Sequence, residues 1–149
     1  MEIKIARVPE KENERILIEC HEVTSQVNAI VKFVEMLQGT ISGELDDRQY
    51  EIGVNNIFYI ESVDNRTFIY TQEKVYVARQ RLYELEDTLS DKSFLRISKS
   101  VVVNLLKIKS IKPALNGRFS AVLANGEEVI ISRKYVPNLK EKIRGGKNR

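Results

Sequence analysis

The segment FLRISKSVVVN, residues 94–104, changes character halfway, opening on Arg96, Ser98, Lys99 and Ser100 and closing on an apolar run. Lys99 supplies a compact positive charge, and Ser98 and Ser100 supply short hydrogen-bonding hydroxyls. Arg96 carries a planar guanidinium that can hold a phosphate, or the edge of a guanine, with two parallel hydrogen bonds. A second group of this kind, SRKY, places Ser132, Arg133 and Lys134 where a strand-like run ends. A third, DNRT, sets Arg66 and Thr67 in a polar turn. Basic and hydroxyl side chains at strand ends are the chemistry of polyanion recognition; gathered on one edge, they would meet one DNA backbone. Periodicity alone does not bring them together, and plainer roles stay open. Arg66 can decorate a solvated turn, Ser132 can cap a helix, and Asn104 is better suited to bracing a turn than to touching a ligand.

Other chemistry finds little support. The chain has no phosphate-cradling glycine-rich loop, no histidine-rich metal spacing and no Gly-x-Ser-x-Gly elbow. Cys20 and His21 are the only residues of their types. Sequence neighbours point to different sides of a strand or helix, so they do not make a nucleophile and its base. One cysteine forms no internal disulfide, and one histidine has no partner for a metal. The acidic pair Asp46-Asp47 lies in polar turn sequence. The expectation is a protein that is not an enzyme and holds neither metal nor cofactor.

The elements that must carry these groups are short. At 149 residues, 42% apolar and 30% charged, the chain has the makings of one ordinary globular domain with a small appendage. Its apolar runs fall far short of the roughly 20 residues of a membrane span, and MEIKIARV lacks the apolar core of a signal peptide; a cytoplasmic protein without direct membrane insertion is expected. Charge divides unevenly. Residues 1–60 carry a net charge of −5 and residues 61–149 a net of +8, a polyanion-binding part joined to one that should not bind the polyanion.

MEIKIARV and RILIEC read as strands around a polar break. Val23, Val27, Ile30, Val34 and Leu37 then recur every three or four residues, one face of a helix that Gly39 would end. A small β-α-β extension over residues 1–50 follows. Beyond it, LNGR and ANGE place Asn-Gly, whose residues tolerate positive φ, between strand-like runs, predicting a three-stranded meander. Ala78, Leu82, Leu85 and Leu89 share a helix face, and a last helix after Val136 would turn Leu139 and Ile143 inward. The terminal residues 145–149 read as a flexible tail.

The order of these parts, FYIES, the leucine-bearing helix, F-x-R-I-x-K-S-x-x-V-N, the Asn-Gly hairpin and a closing S-R-K-Y, resembles the LytTR family of bacterial DNA-binding domains over about residues 54–143. The resemblance implies a mainly β (α+β) domain at residues 51–144, with elongated antiparallel sheets and short helices, reading double-stranded DNA through loops. Arg66 and Thr67, and likewise Arg133 and Lys134, would enter successive major grooves. Lys99 would lie between them, with Ser98 and Ser100, against the backbone and minor groove. Some members place His, Asn and Arg at these three points. Here stand Arg66 or Thr67, then Lys99 and Lys134, which leaves base preference open because lysine is a point charge.

The segment before this domain is less than half the length of a phospho-receiver and lacks its acidic cluster. The chain therefore resembles the stand-alone LytTR type, without control by aspartyl phosphorylation. The acidic extension and its apolar stripe lead to the expectation of a homodimer on repeated half-sites; packing of the stripe within the chain is the alternative. A protein-interaction module using the same loops, and an anti-regulator pairing with another LytTR protein, are the other two readings.

Overall fold

Two polar pairs bend the chain into its tightest hairpins. Asp46 and Asp47 join β1 (Thr40–Leu45) to β2 (Arg48–Gly53), and Asp64 and Asn65 join β3 (Tyr59–Val63) to β4 (Arg66–Tyr70). All four have positive φ, between 52° and 64°. A two-residue hairpin requires that conformation, and Asp and Asn tolerate it better than other residues bearing a Cβ. The computed structural model describes residues 1–147, with side chains as far as Ile143.

With β5 (Val75–Ala78), β6 (Phe94–Arg96) and β7 (Val101–Asn104), these strands form one antiparallel sheet in the order β2-β1-β5-β4-β3-β7-β6. The predicted meander is a second sheet of β8 (Ile108–Pro113), β9 (Phe119–Leu123) and β10 (Glu128–Ile131). Its two Asn-Gly turns differ. Asn116 and Gly117 both have positive φ, inside a wider turn closed by Ala114 N–H donating to the Arg118 carbonyl at 2.8 Å. In the second turn only Gly126 is left-handed, at 88°, while Asn125 uses its side chain to accept the Glu127 N–H at 3.0 Å.

Alternation along β7 explains the run Val101, Val102, Val103. Val102 joins Ile60, Ile69, Leu82, Leu85 and Leu89 in a core between one face of the large sheet and helix α2 (Leu82–Thr88). Val101 and Val103 face the other way, into a core with Leu123 and Ile131 of the small sheet and Leu139 of helix α3 (Val136–Lys147). A strand covered on both faces reads as continuous apolar sequence, and β7 is the layer that both cores share. The mainly β fold with short helices is thus observed.

Several elements differ from expectation. Ala78 belongs to β5, and α2 starts at Leu82, where the Glu84 carboxylate accepts the Arg81 N–H at 3.0 Å. Leu139 is buried, but Ile143 is 37% exposed. The helix extends through Lys147 and so takes in residues 145–147 of the predicted tail; residues 148 and 149 lie outside the described residues.

The N-terminal extension departs most. Residues 1–24 contain no strand; around a turn in which Glu12 N–H donates to the Pro9 carbonyl, two arms fold back without pairing. Two short strands with no layer to cover their apolar face are marginal in water. Helix α1 (Ser25–Gln38) follows, its first turn capped by Thr24 and its end turned by Gly39 at φ 96°. The predicted stripe on α1 is divided. Val27 is buried, and Ile30 and Val34 are half-buried where the helix meets β2 and residues 54–56, whereas Val23 and Leu37 are exposed. The expected boundary after residue 50 falls inside β2, so the hairpin belongs to the large sheet and the extension is an arm and a helix.

Candidate nucleic-acid interface

Backbone hydrogen bonds bring the three basic groups together. Ser62 N–H, next to the β3–β4 turn, donates to the Ser100 carbonyl at 2.8 Å. Ser132 N–H donates to the Ile97 carbonyl at 2.8 Å, and the Ser132 hydroxyl donates to the same oxygen at 3.3 Å. Residues 97–100 are therefore clamped between the β3–β4 hairpin and the end of β10, with Ile97 fully buried as the anchor.

Within this loop the side chains divide the work. Arg96 is only 17% exposed: its guanidinium meets the Glu86 carboxylate of α2 at 3.0 Å and donates to the Lys99 carbonyl at 2.6 Å. It shapes the loop and is not a free contact. The Ser98 hydroxyl accepts the Ser100 N–H at 3.2 Å, closing a short turn that leaves Lys99 outermost and exposed. Behind the loop, buried Asn104 donates to the Ile57 carbonyl at 2.9 Å and accepts from the Ser93 hydroxyl and the Leu106 N–H, a fully satisfied brace.

At the β3–β4 turn, Arg66 is exposed with its guanidinium 5.3 Å from the centre of the Phe68 ring. Thr67 is 4% exposed. One residue along a strand reverses the face, which turns Thr67 into the α2 side of the sheet, away from exposed Arg66. Asn65, at the exposed tip, takes a place that the sequence reading did not single out; its signal is the positive φ of a two-residue turn. At the third group, Arg133 and Lys134 lie exposed in a single 3₁₀ turn, Arg133–Tyr135, between β10 and α3. Ser132 does not cap that turn, since its hydroxyl is turned to Ile97. The stem of Arg133 lies over Gly117, where an added Cβ would come within 2.9 Å of Cδ. Exposed Arg118 follows in the same turn and was likewise not singled out.

Among the described residues the ion pairs are Arg79–Glu44 and Arg96–Glu86, leaving Arg66, Lys99, Arg133 and Lys134 with no carboxylate within 4.0 Å. Exposed, unneutralised cations on one edge make it electropositive. The edge is steadied by a tie between the sheets. Tyr59 stacks on Tyr70 with ring centres 4.2 Å apart and lies beside the Glu127 carboxylate of the β9–β10 turn, while the Tyr70 hydroxyl donates to Glu61 at 3.1 Å. Burial first, and then the adjacent carboxylates, push both phenols above the ordinary tyrosine range. No group of three metal-ligating side chains occurs among the described residues, and no described helix is long and apolar enough to cross a membrane.

Known proteins resemble this chain in sequence and in fold. The sensory transduction protein LytT of Enterococcus faecalis is 31% identical over 103 residues, covering 69% of this chain and 42% of that protein. The transcriptional regulatory protein YpdB of Escherichia coli strain K12 is 32% identical over 103 residues, covering 68% of this chain and 42% of its own. The chain thus spans about two-fifths of the length of these relatives. A solved LytTr DNA-binding domain, from a methyl-accepting/DNA response regulator of Bacillus cereus, superposes with a TM-score of 0.66 at 27% identity, covering 72% of this chain and 97% of that one. The sequence profile described as the LytTr DNA-binding domain matches residues 47–144, a span that encloses the whole basic edge, and the chain belongs to the LytTR family.

Proposed function

We propose that the protein is a sequence-specific transcriptional regulator that binds double-stranded DNA through this edge. The observation that carries the reading is the hydrogen-bonded clamp, which gathers exposed and unpaired Arg66, Lys99, Arg133 and Lys134 from three distant stretches of chain. The β3–β4 turn and the group at Arg133 and Lys134 enter successive major grooves, and Lys99 meets the backbone and minor groove between them. If each of the four cations neutralises one phosphate, the logarithm of affinity falls with the logarithm of salt at a slope of about −3 to −4 per bound chain. A homodimer, acting in the cytoplasm, engages two half-sites and combines their affinities. The names of the relatives, a sensory transduction protein and a transcriptional regulatory protein, accord with this reading.

The test is selection of bound sequences from a random DNA pool by the full-length protein at near-physiological salt. A recurring motif is expected, present as a pair. Recovery of sequences no better bound than the starting pool would defeat the proposal and favour a module that holds an acidic protein instead.

A further inference from the structure

The acidic end of the chain carries a surface that its own fold does not use. Helix α1 turns Val27 and Val34 to the sheet and leaves Ala29, Phe33, Met36 and Leu37 on an outward arc of about 100° that holds no charged residue. Phe33, Met36 and Leu37 are 62%, 74% and 71% exposed. Beside them run the arms of residues 1–24, where Ile3, Ile5, Ile16 and Leu17 are likewise exposed. Met1 shares a cleft with Glu19, Cys20 and Val27, so the folded-back arms return to the start of α1. Apart from the turn at Pro9, no backbone hydrogen bond forms within described residues 1–23.

From this we infer that α1 and the N-terminal arm are the surface through which a second copy of the chain docks, an inference that rests on the paired-half-site reading and names the contact behind it. Two observations select a copy as the occupant. The first is area: these side chains leave on the order of 1,000 Å² of apolar surface in water, against roughly 800 Å² per partner in a standard stable interface. The second is self-complementarity. When two arms pair antiparallel about Ile3, Met1 falls opposite Ile5, and Glu2 falls opposite Lys4 twice over, so apolar meets apolar and each charge meets its opposite. The helix arc, being uncharged, meets its own copy without burying an unpaired ion.

Sedimentation of the full-length chain at micromolar concentration tests this. The wild type sediments as a dimer. Phe33→Glu with Met36→Glu, and separately Ile3→Lys with Ile5→Lys, each weaken association by about tenfold or more while leaving circular dichroism and affinity for a single half-site unchanged. A monomeric wild type overturns the inference and assigns the face to a different protein. A dimer that survives both double substitutions overturns it as well. Lys99→Ala with Lys134→Ala separates the two readings: DNA binding falls if the basic edge is the DNA interface, and the dimer stays intact if docking through α1 and the arm is right, so either can fail without the other.

Discussion

Lys99 and Arg96 stand three residues apart and do opposite work. Lys99→Ala removes an exposed charge and nothing structural, so affinity should drop for every DNA sequence and the salt slope should fall by about one unit. Arg96→Ala removes the ties to Glu86 and to the Lys99 carbonyl; stability should fall by about 1–3 kcal/mol and affinity should fall with it, and Arg96→Lys should recover little of either, because a point charge does not reproduce the planar fork. Thermal melts and salt titrations of the three variants separate the roles. Composition does not distinguish these residues, since both are basic and lie in one motif. The difference comes from pairing register: Arg96 pairs with Val102 on the α2 side of the sheet, whereas Lys99 lies in the connection beyond the ladder. The same parity hides Thr67, which reads as an exposed turn hydroxyl and is buried one step inside its strand.

Among the elements, the Asp-Asn turn, the Asn-Gly meander and the leucines of α2 were legible, because turn chemistry and periodicity are local. The N-terminal strands were not, since alternation announces a strand's preference and says nothing about whether a neighbour is present to pair with it. Nor does local sequence reveal the tie between the two sheets, which joins Tyr59 and Tyr70 to Glu61 and Glu127. That tie predicts an alkaline limit. Both phenols have their acid dissociation raised by folding, so the folded state favours the neutral form. The stabilisation is whole below the ordinary tyrosine value of about 10 and disappears as pH climbs through the higher folded values. Tyrosinate absorbance should therefore lag behind that of a free tyrosine and rise together with loss of the near-ultraviolet dichroism of the stacked Tyr59 and Tyr70 rings. In Tyr59→Phe the onset should lose one of its two slow-titrating groups.

At the scale of the molecule, α1 is fastened to the sheet that bears the basic edge: Val54 N–H donates to the Gly39 carbonyl at 3.1 Å, and β2 pairs with β1 along its full length. Two chains joined through α1 therefore hold their DNA-binding edges at a set separation and rotation. Inserting about five base pairs between selected half-sites should abolish the advantage of the paired site, and inserting about ten should restore part of it, as measured by titration of labelled duplexes. The charge asymmetry that divides the sequence near residue 60 anticipated which half carries the basic edge, but not that the hairpin in the acidic half belongs to the sheet that bears it. β7 lies between both cores, so a change at Val102 or Val103 must be accommodated by two sets of neighbours at once, and the scaffold drifts slowly. Arg66, Lys99, Arg133 and Lys134 are exposed and outside the two cores, free to vary with little effect on folding. New recognition specificities can thus arise by exchanging a few loop side chains on an inherited frame, which makes the buried strand the source of the protein's evolvability.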